Sequence, residues 1–359
     1  MNILVTAVEV GSVRAILPVC LELIRGGDNL IIEKKGHFLI ESVEELALSL
    51  VDLPENDIDL KKFISDNKIN IVLFSVNVHD SRPLQIARVA DILNIKTIHI
   101  LDYWNGYRAR MELDGLTMFV PSAYLVPDNF ALQKAIEEGI PSQIIKVAGQ
   151  PALADVDVSY IEASKGIDPF LDHRKNKNVI LFVLEPVAND QGSSYEENAN
   201  YRGYTEKDVL ILLIKALRIS EEQFSVILVP HPRQNIDEIK DFWQASGGKP
   251  FGEVYTERKG QLLLPFVSGV IGMASTLLFE AWLVGKSVLS IQPGASNNPL
   301  EMLLNQDGFS LIDKHVNSEE IIVKWLSNYS DISEQKMNAE IETYNGSTQK
   351  IISVIKNLQ

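Results

Sequence analysis

An imidazole and a guanidinium follow a short apolar run in the second half of the chain. Residues 226–229 are all apolar and predict a strand, and His231 and Arg233 come soon after it. Open parallel sheets bind ligands at the carboxyl ends of their strands, so both side chains are expected at a ligand-binding edge. Either group can hold an anion. The simpler interpretation is that His231 only caps the end of the strand.

A second group of residues forms the turn between a predicted strand and a predicted helix. The turn residues are Gly272, Met273, Ser275 and Thr276. The first N–H groups of a helix have no partner within it, and with the hydroxyls of Ser275 and Thr276 they can seat a phosphate. Glu280 lies four residues after Thr276 on the same helix face, where it could accept hydrogen bonds from ribose hydroxyls. The alternative is that Ser275 only caps the helix.

The elements that position these residues alternate along the chain. Short apolar runs alternate with longer helical patterns, which is typical of βα units with parallel sheets rather than of a β-sandwich or a helical bundle. Strands are predicted at residues 2–7, 29–33, 71–76, 97–101, 118–120, 123–126, 144–148, 179–184, 225–229, 269–271 and 287–291. Helices are predicted up to residue 24 and near residues 42–50, 57–67, 82–93, 128–138, 206–218, 235–245, 275–284, 299–305, 318–328 and 333–357. The pattern predicts two doubly wound domains.

Composition limits the class of protein. The chain has 359 residues, enough for two domains, and 33 Lys and Arg against 48 Asp and Glu leave a net charge of −15 that disfavours nucleic acid as a partner. The single cysteine, Cys20, lies in an apolar helical stretch and is predicted to be a buried thiol in a reducing cytoplasm. We find no basic leader and no run near the ~20 apolar residues that cross a bilayer, while peripheral membrane contact stays open.

Several familiar ligand motifs are absent or incomplete. Residues 284–287 read Val-Gly-Lys-Ser, like the end of a P-loop, but Glu280 stands where that loop requires a glycine. The turn after the first strand has one glycine, Gly11, instead of the three of a dinucleotide fingerprint. The acidic pairs at 57–59 and 155–157 follow no strong strand, and no histidine or cysteine cluster has metal-ligand spacing. We therefore expect no bound metal and no resident cofactor.

The order of the second-half motifs resembles that of a known group of enzymes. A strand followed by His-Pro, and later Gly-Met-Ala-Ser-Thr, Glu-Ala and Gly-Lys-Ser-Val-Leu, is similar to the C-terminal domain of GT-B glycosyltransferases and of UDP-N-acetylglucosamine 2-epimerases. The His-Pro and Ser-Thr pairs resemble the motifs with which bacterial sialyltransferases, Kdo transferases and CDP-glycerol transferases hold the nucleotide phosphate. Residues 143–151 resemble the strand and Gly-Asn-Pro turn that end the first GT-B domain. The epimerase pattern Ser-Gly-Gly is replaced here by Ala274, Ser275 and Thr276.

The resemblance implies a GT-B fold, in which two Rossmann-like domains face a central cleft. Residues 1–152 would then form the acceptor domain and residues 179–335 the nucleotide-sugar domain, with a linker at 153–178. Residues 336–359 would form C-terminal helices, for which packing back on the first domain is one option. The residues assigned to the nucleotide and its phosphates are His231, Arg233, Gly272, Met273, Ser275, Thr276 and Glu280.

The resemblance also points to residues that follow strands in the first half. A transferase needs a base that takes a proton from the acceptor hydroxyl. The residues with suitable chemistry are Asp102, His79, Asp80 and Glu9. Asp102 is the first choice, because by order of elements it falls where the epimerases carry a catalytic carboxylate. Contacts to the acceptor or the sugar are expected from Gly11, Ser12, Arg14, Tyr103 and Trp104. The alternatives are that Asp102 caps the next helix and that the aromatic side chains belong to the core.

Two loops and four other histidines complete the inventory. The loop at 185–202 is polar and rich in Gly and Ser, which suits either a mobile lid or an ordinary surface loop. The loop at 297–301 is similar to loops that touch the donor in the GT-B group. The histidines without a chemical context are predicted to be structural or surface residues, and they are His37, His99, His173 and His315.

Together with the motifs, the resemblance implies a metal-independent glycosyltransferase that uses a CMP-, CDP- or UDP-linked sugar and a saccharide or lipid-linked acceptor in surface polysaccharide or glycoconjugate synthesis. Two alternatives stay open. One is a UDP-sugar 2-epimerase or sugar-nucleotide hydrolase of the same fold, which needs no second substrate. The other is a non-catalytic nucleotide-binding scaffold. The sequence does not determine the nucleotide, the sugar, the acceptor or the oligomeric state.

Overall fold

The chain forms two compact units, one of Met1–Asp155 with Glu342–Gln359 and one of Val156–Ile341. The computed structural model describes residues 1–39, 48–77, 80–113, 117–166, 178–199, 201–295, 300–328 and 340–358. Each unit is built on its own parallel sheet. Within these described ranges, no helix is long and apolar enough to cross a membrane.

The first unit contains a seven-stranded parallel sheet. Its strands are β1 (Asn2–Thr6), β2 (Asn29–Glu33), β3 (Leu50–Val51), β4 (Ile71–Phe74), β5 (Lys96–Ile100), β6 (Ala123–Val126) and β7 (Ile145–Val147). They pair in the order β3-β2-β1-β4-β5-β6-β7. The central strand β4 and strand β6, two positions away, are buried at every residue, as expected of parallel strands covered on both faces.

Helices connect these strands and the end of the chain returns to the first unit. The helices are α1 (Val10–Arg25), α2 (Asp57–Asp66), α3 (Arg82–Ile92), α4 (Asn129–Glu137), α11 (Ile341–Tyr344) and α12 (Ser347–Asn357). Short 3-10 helices lie at Gly36–Leu39, Ala109–Met111, Ser142–Ile144 and Pro151–Leu153. Helix α12 packs on α1, and its Ile351 and Ile355 are fully buried in the same core as β1 and β4.

The second unit contains a six-stranded parallel sheet. Its strands are β8 (Asn178–Val183), β9 (Phe224–Val229), β10 (Gly252–Val254), β11 (Gly269–Gly272), β12 (Ser287–Ile291) and β13 (Phe309–Ile312). They pair in the order β10-β9-β8-β11-β12-β13. From β8, the strands β9 and β10 are added on one side of the sheet and the strands β11 to β13 on the other, so the strand order reverses between β8 and β11. Doubly wound sheets bind ligands at the carboxyl ends of the strands beside such a reversal.

The helices of the second unit flank this sheet. They are α5 (Val156–Ser164), α6 (Val187–Gln191), α7 (Glu206–Ile219), α8 (Ile236–Ala245), α9 (Thr276–Leu283) and α10 (Ser318–Asn328), with 3-10 helices at Gly260–Phe266 and Glu301–Leu303. Helix α7 begins at a capping box, in which Thr205 and Asp208 satisfy each other's backbone N–H groups. Helix α5 lies within the range for which the sequence predicts a linker.

The doubly wound α/β class predicted from the sequence is confirmed, and the strands that the sequence did not predict share one property. The missed strands are β3, β10 and β13, and each lies at an edge of its sheet. An edge strand has a neighbour on one side only and is less buried, so it lacks the continuous apolar run of a central parallel strand. The two sheets are otherwise built from the predicted strands.

Three predicted elements differ from the structure. Residues 118–120 do not form a strand: Met118 makes a single antiparallel bridge to Glu112, and Pro121, which lacks an N–H group, follows directly. The helix predicted at 42–50 overlaps β3 at its end, and residues 42–47 lie outside the described ranges. The helix predicted at 299–305 is reduced to a 3-10 turn, and Asn305 beyond it has a left-handed backbone. Residues 333–339 also lie outside the described ranges.

Candidate functional site

The turn from β11 into α9 is shaped by close backbone packing. Gly272 ends β11, and a Cβ atom there would lie 3.1 Å from the carbonyl oxygen of Val183, the last residue of β8. Met273 is buried, and its carbonyl oxygen accepts a hydrogen bond from Ser290 Oγ at 2.5 Å. These contacts hold the turn against the two strands beside it, which places the start of α9 at the reversal of the sheet.

Ser275 is the N-cap of α9. Its backbone is extended, and its Oγ accepts from the N–H of Leu277 at 3.3 Å. The capping role weighed in the sequence analysis is therefore present. Thr276, the first helical residue, is partly buried beside it. The N–H of Leu278 donates to the carbonyl oxygen of Ser275 at 3.0 Å. The N–H of Thr276, at the first helical position, has no acceptor within the helix and is of the kind that binds phosphate.

Glu185 is a site residue that the sequence analysis did not single out. It is the second residue after β8, and its Oε2 accepts from the N–H of Ala274 at 2.5 Å. Burial raises the pKa of this carboxyl to about 7, partly opposed by the N–H of Ala274 and the charge of Arg202. A signal was available in the sequence, because an acidic residue directly after the first strand of a doubly wound domain falls at its ligand-binding edge.

His231 and Arg233 lie in a tight loop after β9. The N–H of His231 donates to Gln234 Oε1 at 2.9 Å, and the N–H of Arg233 donates to His231 Nδ1 at 3.2 Å. An acceptor role for Nδ1 places the proton of the neutral imidazole on Nε2. That nitrogen is therefore the one able to donate a hydrogen bond to an anion.

The guanidinium of Arg233 forms a bidentate ion pair. Its Nη1 and Nη2 donate to the two carboxylate oxygens of Asp190 in α6, at 2.7 and 2.9 Å. The pair ties the loop after β9 to the segment after β8. The direct contact with a phosphate that the sequence predicts for Arg233 would therefore compete with Asp190.

The two motifs of the second unit meet through Glu185. Gln234 Nε2, from the loop that carries His231, donates to the carbonyl oxygen of Glu185 at 3.2 Å. The carboxylate of the same Glu185 bonds to Ala274 at the turn before α9. The structure thus brings together the loop after β9, the first residues after β8 and the start of α9 at one edge of the sheet.

Glu280 is placed differently from the other predicted nucleotide contacts. It is fully buried in α9, whose residues from Leu277 onward are all buried. The sequence predicts that Glu280 accepts hydrogen bonds from ribose hydroxyls. That role stays a prediction, and it requires the carboxylate to become accessible when a nucleotide binds.

Asp102, the first-choice catalytic carboxylate, lies in a buried network of the first unit. It is 7% exposed, and its Oδ1 accepts from Arg110 Nη1 at 2.6 Å while its Oδ2 accepts from Ser12 Oγ at 2.8 Å. Gly11 leaves room for this carboxylate, since a Cβ at position 11 would lie 3.1 Å from Oδ2. Arg110, eight residues after Asp102, carried no signal in the sequence. Three predicted residues, Gly11, Ser12 and Asp102, therefore meet at the carboxyl edge of the first sheet.

Three of the remaining first-unit candidates lie in or next to helices α1 and α3. Asp80 Oδ1 accepts from the N–H of Arg82 at 2.8 Å, so Asp80 helps to begin α3. Glu9 is the N-cap residue of α1, without a side-chain capping bond, and Arg14 is half-buried in that helix. His79, the remaining candidate base, lies outside the described residues, as do residues 297–299 of the predicted donor loop.

Trp104 and Tyr103 do not form an open aromatic surface. Trp104 is 4% exposed, its Nε1 donates to Asp128 Oδ2 at 2.6 Å, and its ring packs edge-on against Tyr344. Tyr103 packs edge-on against Trp104 with ring centroids 6.0 Å apart and is half-buried. Trp104 is therefore a core side chain, the alternative considered in the sequence analysis, because α11 and the start of α4 cover it. It offers little surface to a sugar.

Two of the residues set aside in the sequence analysis, Lys286 and His99, lie away from this edge. Lys286, of the P-loop-like run, precedes β12 at the amino edge of the sheet, where its Nζ donates to the carbonyl oxygen of Val267 at 2.9 Å. Burial lowers the pKa of Lys286 to about 8. His99 is a fully buried residue of β5, packed against Phe74 and Tyr124. Across the residues that the structure describes, no three His, Cys, Asp or Glu side chains converge to hold a metal ion.

Solved structures share this architecture over the whole chain. MnaA from S. aureus, solved with UDP, aligns with a TM-score of 0.72 at 13% identity and covers 99% of this chain and 96% of its own. UDP-GlcNAc 2-epimerase from Neisseria meningitidis, bound to UDP-GlcNAc, aligns with a TM-score of 0.65 at 14% identity and covers 100% of both chains. A glycosyltransferase from Rickettsia africae aligns with a TM-score of 0.68 at 13% identity, covering 99% and 98%. No protein-family model matches the chain, and no curated protein matches its sequence.

The chain therefore has the α/β fold of GT-B glycosyltransferases and UDP-GlcNAc 2-epimerases. The resemblance that the His-Pro and Ser-Thr motifs indicated is confirmed at the level of the fold. At identities of 12–14% the likeness extends to the fold and no further.

Proposed function

We propose that the second unit binds a UDP-linked sugar at the carboxyl edge of β8, β9 and β11. One observation carries the proposal: the loop of His231 and the start of α9, far apart in sequence, are joined through Glu185 beside the reversal of the sheet. This edge is where doubly wound domains bind nucleotides. Neighbours of the same fold were solved with UDP or UDP-GlcNAc bound, which favours uridine over cytidine as the base.

The diphosphate would be recognised by hydrogen-bond donors in this arrangement. The N–H groups at the start of α9 and the Nε2–H of His231 are donors that suit phosphate oxygens. Because the chain carries a net charge of −15, an anionic ligand depends on such local donors rather than on the overall field of the protein. We expect these protein groups, without a bound metal, to stabilise the charge left on the departing nucleotide.

The leading reaction is epimerisation of a UDP-sugar at C2. The named neighbours are mainly UDP-GlcNAc 2-epimerases, and this reaction needs no second substrate. Inversion at a carbon through proton transfer requires a base, and Asp102 is the carboxylate that we propose for that role. Ser12 and Arg110 would fix the orientation of its two oxygens.

Glycosyl transfer to a saccharide or lipid-linked acceptor is the second candidate. It is favoured by the Rickettsia glycosyltransferase of the same fold and by a departure from the epimerases at the start of α9. Where the epimerase pattern is Ser-Gly-Gly, this chain has Ala274, Ser275 and Thr276. Both reactions act on a nucleotide-linked sugar, so both rest on the same nucleotide site.

A two-stage experiment separates these candidates. Thermal-shift measurements with CMP, CDP, UDP, GDP and dTDP identify the nucleotide, because a ligand bound only by the folded protein raises its melting temperature. We expect the largest shift with UDP. Proton NMR of UDP-GlcNAc with the protein, with and without EDTA, then reports turnover. Interconversion of the sugar without an acceptor supports epimerisation, release of UDP only with an acceptor supports transfer, and binding without turnover supports a scaffold. No shift with any nucleotide would contradict the proposal.

A further inference from the structure

Glu185 occupies hydrogen-bond donors that a phosphate would use. Its carboxylate accepts from the N–H of Ala274 at 2.5 Å, at the turn that leads into α9. The N–H of Met273 also stabilises the charged carboxylate. Two anions cannot share these donors without repulsion, since like charges at hydrogen-bond distance are strongly disfavoured. A phosphate can therefore bind here only if the Glu185 side chain moves away from these N–H groups or if its carboxyl group is protonated and neutral.

The surroundings of Glu185 bring its two protonation states close in energy. Burial raises the pKa of the carboxyl to about 7, the backbone N–H groups and the guanidinium of Arg202 lower it, and the carboxylate of Asp190 raises it. The phenol of Tyr204 also faces this group, and burial and the charge of Glu185 raise the pKa of Tyr204. His231, in the loop bonded to the Glu185 backbone through Gln234, is a further titratable group near the site. A modest change in the environment is therefore enough to protonate Glu185.

We propose that Glu185 is a phosphate-binding residue that acts in its protonated form, donating its O–H to a phosphate oxygen of the sugar nucleotide at the start of α9. This inference rests on the nucleotide site proposed above. It adds Glu185 to the phosphate contacts of that site and specifies that its carboxyl group is protonated when the ligand is bound. The ionised carboxylate keeps the donors of the turn occupied in the empty protein. Ligand binding takes up one proton, and the carboxyl then serves as a donor instead of a competing acceptor.

The direction of the pH dependence follows from this coupling. If the neutral form binds and the ionised form does not, affinity is constant well below pH 7 and falls about tenfold per pH unit above it. Between pH 6 and pH 8.5 the dissociation constant of the sugar nucleotide should rise about 30-fold. A carboxyl that stays ionised in both the free and the bound protein would leave affinity flat over the same range.

Calorimetric titration of UDP-GlcNAc between pH 6 and pH 8.5 tests the inference, because its diphosphate has no group that titrates there. Intactness of the sugar nucleotide is checked by chromatography after each titration. In the wild-type protein, titrations at pH 7.5 in buffers of different ionisation enthalpy should report uptake of most of one proton. Glu185→Gln keeps the shape of the neutral carboxyl, and it should bind with nearly constant affinity across the range. The matched control is Glu221→Gln, which changes an exposed carboxylate and should behave like the wild type.

The outcomes separate this inference from the proposed function. Absence of binding by the wild type at every pH overturns both. Binding with a constant dissociation constant and no proton uptake overturns the role of Glu185 and leaves the nucleotide site intact. If the affinity of Glu185→Gln for UDP-GlcNAc still falls with pH as in the wild type, another group, such as His231, takes up the proton. That result also overturns the inference.

Discussion

Asp102, the proposed base, is held in place by two side chains of the first unit. Both of its carboxylate oxygens are engaged in a buried site, one by Arg110 and one by Ser12. Removing one partner of a buried ion pair leaves an uncompensated charge in a poorly solvated environment. Such losses cost about 3–5 kcal/mol, much more than an exposed ion pair contributes.

Arg110→Met should therefore destabilise the first unit strongly. We expect a loss of about 3–5 kcal/mol, which lowers the melting temperature by roughly 10 °C in a unit of this size. Scanning calorimetry measures it. The double variant Asp102→Asn with Arg110→Met removes both charges and should melt higher than Arg110→Met alone. A single variant that melts within about 2 °C of the wild type would show that the pair does not hold this part of the fold.

At the residue scale the sequence predicted part of the candidate site. His231, Ser275 and Asp102 were predicted because each follows a predicted strand, and position after a strand is visible in sequence. Their roles stay predictions. Arg110 was missed because no local pattern marks a partner that reaches back to Asp102. Trp104 was misplaced because the residues that cover it come from a distant part of the chain, as the contact with Tyr344 illustrates.

At the element scale, helix α12 illustrates how the end of the chain completes the first unit. The helix is amphipathic, and its Ile351 and Ile355 are fully buried beside α1. Helix α12 lies within a range that was predicted to be helical, whereas the edge strands β3, β10 and β13 were not predicted. They were missed because their exposure removes the apolar run that identifies central strands, whereas the buried stripe of α12 left a clear helical pattern.

Ile351→Ala should loosen the first unit without changing the nucleotide site of the second. Burial of the side chain predicts a loss of about 2–5 kcal/mol from lost contacts and the cavity left behind. Peptide-resolved hydrogen exchange should show faster exchange in α1 and α12. The matched control is Ile58→Ala in α2, where the side chain is 80% exposed and the change should be nearly neutral. Equal exchange in the two variants would contradict the packing of α12 described above.

At the scale of the whole molecule, alternation of strands and helices was enough to predict two doubly wound units. The order of the sequence motifs pointed to a GT-B fold, and solved proteins only 12–14% identical in sequence share the fold of this chain. Identity this low preserves the sheet order and the ligand-binding edge, because both follow from how parallel βα units pack. The proposed reaction depends on a few side chains at that edge, and the experiments described above test their roles.

The most direct test of the nucleotide site is calorimetric titration of UDP into the wild type, His231→Ala and His315→Ala. His315 is an exposed histidine of the same unit and serves as the matched control. We expect UDP to bind the wild type and His315→Ala equally and His231→Ala at least about tenfold more weakly, the loss of one hydrogen bond to a charged group. No binding of UDP by the wild type, or equal affinity in a folded His231→Ala variant, would contradict the site at the carboxyl edge of β9 and β11.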